Sequence, residues 1–138
     1  MAVFETMQKI GFQHCDPAGI VFYPRYFEMF NAAIEEWFEK RVGISFHDIH
    51  MVRGEVVPTV HVEVDFKAPS RLGETIILAL SLVKIGNSSI TFNIDVKEGA
   101  AIRVQAELVL VYAKSALEQS DGWPGDLRAA LTKQLIQN

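Results

Sequence analysis

Asp16 stands in the run His14-Cys15-Asp16-Pro17-Ala18-Gly19-Ile20-Val21-Phe22-Tyr23-Pro24. The run breaks at Asp-Pro and at Gly19, and Pro24 then opens the longest helical pattern in the chain. A carboxylate is thereby delivered to the start of a helix. Free backbone N–H groups and a partial positive charge there suit an oxygen that becomes anionic during a reaction. An acid beside an oxyanion site is the equipment of a hydrolase. The competing reading is structural, because an aspartate ahead of a proline also caps a turn. Other chemistry is less well supported. Cys15 follows His14 directly, and neighbours in an extended segment point to opposite faces, so the two do not form a base and nucleophile couple. His47, His50 and His61 have no acidic or cysteine companion at recognisable ligand spacing, so no metal is expected.

The elements that must position Asp16 follow from periodicity. Residues 3 to 14 read as a strand leading into the Asp16 loop, with Phe4, Met7, Ile10 and Phe12 as buried candidates. From Pro24 to Arg41, Tyr26, Phe27, Phe30, Ala33, Ile34, Trp37 and Phe38 recur at the spacing of one helical face, and Gly43 ends the pattern. Gly43 to Glu55 reads as a loop with one short helical turn from Ser45 to His50. The period then changes to two: Val60, Val62, Val64 and Phe66 alternate with polar residues. Three more alternating strands follow, carrying Ile76 to Leu82, Ile90 to Val96 and Ile102 to Tyr112 on their apolar faces. Gly86-Asn87-Ser88 and Glu98-Gly99-Ala100 separate them as hairpin turns. Ser120-Asp121-Gly122 reads as a linker and Pro124 to Ile136 as a terminal helix.

One long apolar helix and about five strands with one apolar face each make an α+β fold, a curved antiparallel sheet wrapped around a central helix. Ile77, Ala79, Val83, Ile85, Val109, Val111 and Ala113 lie on the reverse face. Their burial calls for another subunit or for the terminal helix, so a homodimer or homotetramer is expected.

Asp16-Pro17, Gly19-Ile20-Val21, the aromatic pair Phe22-Tyr23, Pro24 and Tyr26 resemble the N-terminal signature of the 4-hydroxybenzoyl-CoA thioesterase family of hotdog-fold acyl-CoA thioesterases. The likeness extends to chain length and element order, and is strongest from His14 to Tyr26. It implies a hotdog fold and hydrolysis of an aromatic or short to medium acyl-CoA, with coenzyme A as part of the substrate and no cofactor. It implies that Asp16 is the catalytic carboxylate, as nucleophile on the thioester carbon or as base toward water, and that the Tyr23 backbone N–H is the oxyanion donor. Pro24 has no N–H to offer. Gly19 would allow a turn geometry or a close approach, and Phe46 would line the acyl pocket. Asn31 occupies the helix position where the 4-hydroxybenzoyl enzyme carries an acid directed at the phenol, and an amide cannot take that proton. The resemblance also implies active sites shared between subunits. The family's basic cluster near the third turn has no match at Gly86-Asn87-Ser88, which leaves Lys67, Arg71, Lys84, Arg103 and Lys114 as candidates for the phosphates. A hotdog dehydratase would need a catalytic histidine setting that is absent, and a non-catalytic acyl-CoA-binding protein is the remaining alternative.

Composition agrees with such a protein. At 138 residues, 49% of them hydrophobic, the chain suits a single domain over 1–138 with a substantial core. A net charge of −4 without a basic stripe gives no sign of a nucleic-acid partner. The N-terminal residues lack a basic segment followed by an apolar run, and no run is long enough for a membrane span. The single cysteine excludes an intramolecular disulfide and fits the cytoplasm.

Overall fold

The computed structural model describes residues 3–118 and 122–135. Ser120 and Asp121 of the expected linker, and Ile136 at the end of the expected terminal helix, lie outside them. Strands β1 (Phe4–Lys9), β2 (Thr59–Phe66), β3 (Thr75–Ile85), β4 (Ser89–Glu98) and β5 (Ala101–Val111) form one antiparallel sheet in the spatial order β1-β3-β4-β5-β2. The meander of β3, β4 and β5 is the one that the alternation and the two short turns imply.

Helix α1 (Arg25–Trp37) lies on the inner face of this sheet, packed against β1 and β3. Its stripe of Tyr26, Met29, Phe30, Ala33, Ile34 and Trp37 is buried, and Trp37 meets Phe92 of β4 edge to face at 4.8 Å. Glu36, on its flank, accepts from Thr6 Oγ1 of β1 and from Lys40 Nζ, both at 2.8 Å. The single long helix expected from Pro24 to Arg41 is instead a 13-residue α-helix followed by a π-helical stretch, Phe38–Val42. Gly43 ends that stretch at φ +82°, a conformation that a residue with a Cβ rarely adopts. The short helical turn expected from Ser45 to His50 is present a little further on, with a second π-helical stretch at Asp48–Val52.

Helix α2 (Gly125–Gln134) closes one end of the core beside β3 and the Phe38–Val42 stretch. Leu127 and Leu131 are buried there, Trp123 packs on Tyr112, and Arg128 Nη2 donates to the carbonyls of Gly86 and Asn87. α2 therefore covers the inner side of the sheet and leaves the reverse face open. That face mixes Ala79 and Val83 with Glu5, Glu63, Asp65, Asp95 and Glu107 around a shallow polar cavity.

Three details differ from the alternation, the first at Ile102, which a register shift beside Val96 pairs with Lys97 and leaves 38% exposed. Phe4 and Ile10 are buried, but Met7 and Phe12 are 73% and 82% exposed. Met7 pairs with Ile77 on the reverse face, whereas Phe4 pairs with Leu80 on the inner one. In β2 the register shifts between Thr59 and His61, which takes Val60 out of the inner-face row. Val62, Val64 and Phe66 do point inward, opposite Leu108, Ala106 and Val104. No helix among the described residues is long and apolar enough to cross a membrane.

Candidate active site

The Asp16 loop is a small antiparallel ladder. Asp16 N–H donates to Ile20 O at 3.0 Å, Cys15 bridges Val21, and Phe22 N–H donates to His14 O at 2.9 Å. Gly19 makes the reversal at φ +77°, and a Cβ built there would meet nothing within 4 Å. Of the two reasons for a glycine at this position, the backbone conformation is the one that applies. The Asp16 carboxylate, half-buried, accepts from Ala18 N–H at 2.9 Å. Asp16 thus does cap its own turn. Asp16 also lines a mostly apolar cavity of about 530 Å³ with Phe12, Cys15, Pro17, Gly19 and Leu72.

The ladder runs directly into α1. Arg25 N–H bonds Phe22 O at 2.9 Å and Tyr26 N–H bonds Tyr23 O at 3.1 Å, so the first turn is closed by tight bonds behind Pro24. The Tyr23 N–H has no acceptor among the described residues. Its ring is exposed and meets Phe22 at 5.6 Å and Phe66 of β2 at 5.8 Å, and Phe66 in turn meets Tyr26 at 5.9 Å. Phe22, Tyr23, Tyr26 and Phe66 thus form an aromatic cluster at the helix start. Burial pushes the Tyr26 phenol up, with the neighbouring Ser70 hydroxyl and Arg103 pulling partly back.

Asn31 and Phe46 belong to a second cavity of about 390 Å³, lined also by Ile34, Glu35, Val57, Thr59 and Leu110. Phe46 serves as both core anchor and lining, since it packs on Phe38 at 4.9 Å and on His50 at 5.0 Å. The structure thus brings Asp16 together with Gly19, and Asn31 together with Phe46, but keeps the two pairs in separate cavities. Tyr23 lines neither. Glu35 was missed from sequence: it falls one helical turn after Asn31 and lines the same cavity, so an i, i+4 reading outward from Asn31 would have found it.

The remaining candidates separate clearly. His14 Nδ1 accepts from Gly11 N–H at 2.9 Å while Cys15 Sγ lies 3.5 Å from Gly11 O, so the two side chains hold the backbone and not each other. His61 gathers with Glu63 and Glu107 on the exposed reverse face, where Glu107 comes from the neighbouring strand, a partner that spacing along the chain cannot reveal. Arg103 is committed to an ion pair with Glu74 and is not a free phosphate ligand.

A five-stranded antiparallel sheet wrapped on a helix is the hotdog architecture, and the candidate loop leads into that helix. The model of the thioesterase superfamily matches residues 18–102, and the chain belongs to that superfamily. The 1,4-dihydroxy-2-naphthoyl-CoA hydrolase of Nostoc punctiforme is 28% identical over 118 residues, 84% of this chain and 79% of the relative. That of Synechocystis is 26% identical over 84 residues, 61% of this chain and 60% of the relative. The crystal structure of a 1,4-dihydroxy-2-naphthoyl-CoA thioesterase from Synechocystis superposes with a TM-score of 0.85 at 19% identity, covering 95% of this chain and 96% of that one, a likeness of fold.

Proposed function

We propose that this protein hydrolyses the thioester of an aromatic acyl-CoA, with Asp16 as nucleophile or general base and the Tyr23 N–H as oxyanion donor. The observation that carries the reading is Asp16, its carboxylate accepting from Ala18 N–H and the residue lining an apolar recess, in a loop continuous with a helix start whose Tyr23 N–H has no acceptor among the described residues. Thioester cleavage needs both parts: a group that attacks the carbonyl carbon or deprotonates water, and a donor for the oxygen as it gains charge. If Asp16 attacks, a mixed anhydride forms, the coenzyme A thiolate leaves, and water then cleaves the anhydride. If Asp16 acts as base, it takes a proton from the water that attacks.

Relatives that act on a dihydroxylated naphthoyl thioester favour an aromatic acyl group. The Asn31 cavity supports the same substrate class, because Phe46 offers a ring face and Asn31 and Glu35 offer polar groups to ring hydroxyls. The separation of the Asp16 and Asn31 cavities within one chain, together with the half-exposed Val62 and Phe66 of β2, supports a site completed by a second copy.

The test is thiol release from 1,4-dihydroxy-2-naphthoyl-, 4-hydroxybenzoyl-, benzoyl- and short aliphatic acyl-CoAs, with Asp16→Asn beside the native protein. A neutral amide neither attacks nor accepts the proton, so turnover should fall at least ~100-fold with the fold intact. Near-native turnover of Asp16→Asn with any good substrate would overturn the assignment.

A further inference from the structure

Residues 69 to 74, between β2 and β3, touch the Asp16 ladder, the residue that follows β1 and the first turn of α1. Val21 N–H donates to Ser70 O and Leu72 N–H to Gly19 O, both at 2.9 Å, while Ile20 bridges Arg71. The Asp16 ladder is therefore bonded on its outer edge to this segment. The end of β1 is bonded to it as well: Ile10 N–H donates to Glu74 O at 2.8 Å and Gly73 N–H to Ile10 O at 2.9 Å. On the helix side, the buried hydroxyls of Ser70 and Tyr26 face one another without a well-aligned hydrogen bond. Ser70 is thus placed between the acid's loop and the first turn of α1.

The segment is in turn held by one side chain from β5. Arg103 donates from Nη1 and Nη2 to the two Glu74 carboxylate oxygens, both at 3.1 Å, and from Nη1 to Pro69 O at 2.6 Å. Glu74 Oε1 also accepts from Arg71 N–H at 2.6 Å. The forked pair spans the segment from its first residue to its last, and its side chains are only 14% and 25% exposed, so water competes weakly for them.

We propose that the Arg103–Glu74 pair is the latch that positions the catalytic loop, setting Asp16 in register with the Tyr23 N–H by locking residues 69 to 74 against both. Arg103 and Glu74 are positioning residues: neither lines the Asp16 cavity, and each acts through the backbone bonds to Gly19 and Val21. The proposal rests on the reading of Asp16 and Tyr23 given above.

Glu74→Gln and Arg103→Met break the pair, and Arg103→Lys keeps the charge without the fork. Steady-state kinetics on benzoyl-CoA should show kcat reduced about tenfold in Glu74→Gln with KM within about twofold of native, since misplacement of a reacting group lowers turnover more than binding. Arg103→Lys should recover part of that loss relative to Arg103→Met. Hydrogen exchange supplies a readout that needs no activity. The Val21 and Leu72 amides should exchange at least ~10-fold faster in Glu74→Gln, with β4 amides unchanged. Unchanged exchange at Val21 and Leu72 in Glu74→Gln would overturn the latch. Faster exchange with unchanged kcat would overturn its positioning role. Native turnover in Asp16→Asn would remove the catalytic reading alone, and the exchange result would still decide the latch.

Discussion

The inner faces of β4 and β2 are written in the same alternating pattern but meet different fates. Ile90, Phe92, Ile94 and Val96 are fully buried beneath α1 and α2, whereas Phe66 of β2 remains 47% exposed and Val62 nearly as much. α1 packs closest on β1 and β3, and the outermost strand β2 is met from α1 by the Tyr26–Phe66 ring contact. β2 is also an edge strand, with one row of backbone groups unpaired by the sheet. Alternation therefore reports which side of a strand is apolar, and leaves open whether the chain itself covers that side. The half-exposed inner face of β2, beside Tyr23, is the surface to which the proposal of a second copy points.

This contrast can be broken by mutation. Phe92→Ala should lower the unfolding free energy by roughly 3–5 kcal/mol, because the ring is enclosed and no neighbour can fill the space. Phe66→Ala in dilute, monomeric protein should cost only about 1 kcal/mol, as half of that ring already meets water. Urea unfolding of the two variants measures the pair, and equal losses would mean that β2 is covered as thoroughly as β4. Val62→Asp should sharpen the comparison from the other side. A charge on the half-exposed face would weaken self-association at least ~100-fold, about 2.7 kcal/mol, with little change in the unfolding of a monomer. Light scattering at micromolar protein reads the mass; an unchanged oligomer would exclude β2 from the interface.

The smallest effect concerns acid. The Glu74 carboxyl is held below its ordinary value of 4.5, chiefly by the Arg103 hydrogen bonds and then by the Arg71 N–H. A carboxyl lowered in the folded state adds stability that is present above its unfolded value and lost as pH falls through the folded one. The native protein should therefore lose, below about pH 4.5, a stability increment of under ~1 kcal/mol that Glu74→Gln lacks. Urea midpoints at neutral pH and about one unit below that value compare the two. Parallel acid losses would show that Glu74 gains nothing from its pairing, and would set the latched segment beside β2 as loosely held surface.

Much of this protein follows from residue order alone. Local chemistry determined the reversal at Gly19, the helix start behind Pro24, the apolar stripe of α1 and the strands β3 to β5, since each depends on neighbours within a few positions. The same locality made the run from Asp16 to Tyr26 legible as a candidate site, and the family match covers most of it. Tertiary structure alone decided that Met7 and Phe12 face solvent, because β1 pairs with β3 in a register that turns Met7 outward. It decided that α2 closes the core end and leaves the reverse face open, and that Glu35 joins Asn31. It also drew Arg103 away from phosphate binding into its pair with Glu74, 29 residues distant along the chain. Periodicity reports the direction of a side chain relative to its own element. What meets that side chain is set by packing between elements far apart in sequence, and that is where the acid's supports, the half-exposed edge and the divided cavities arise.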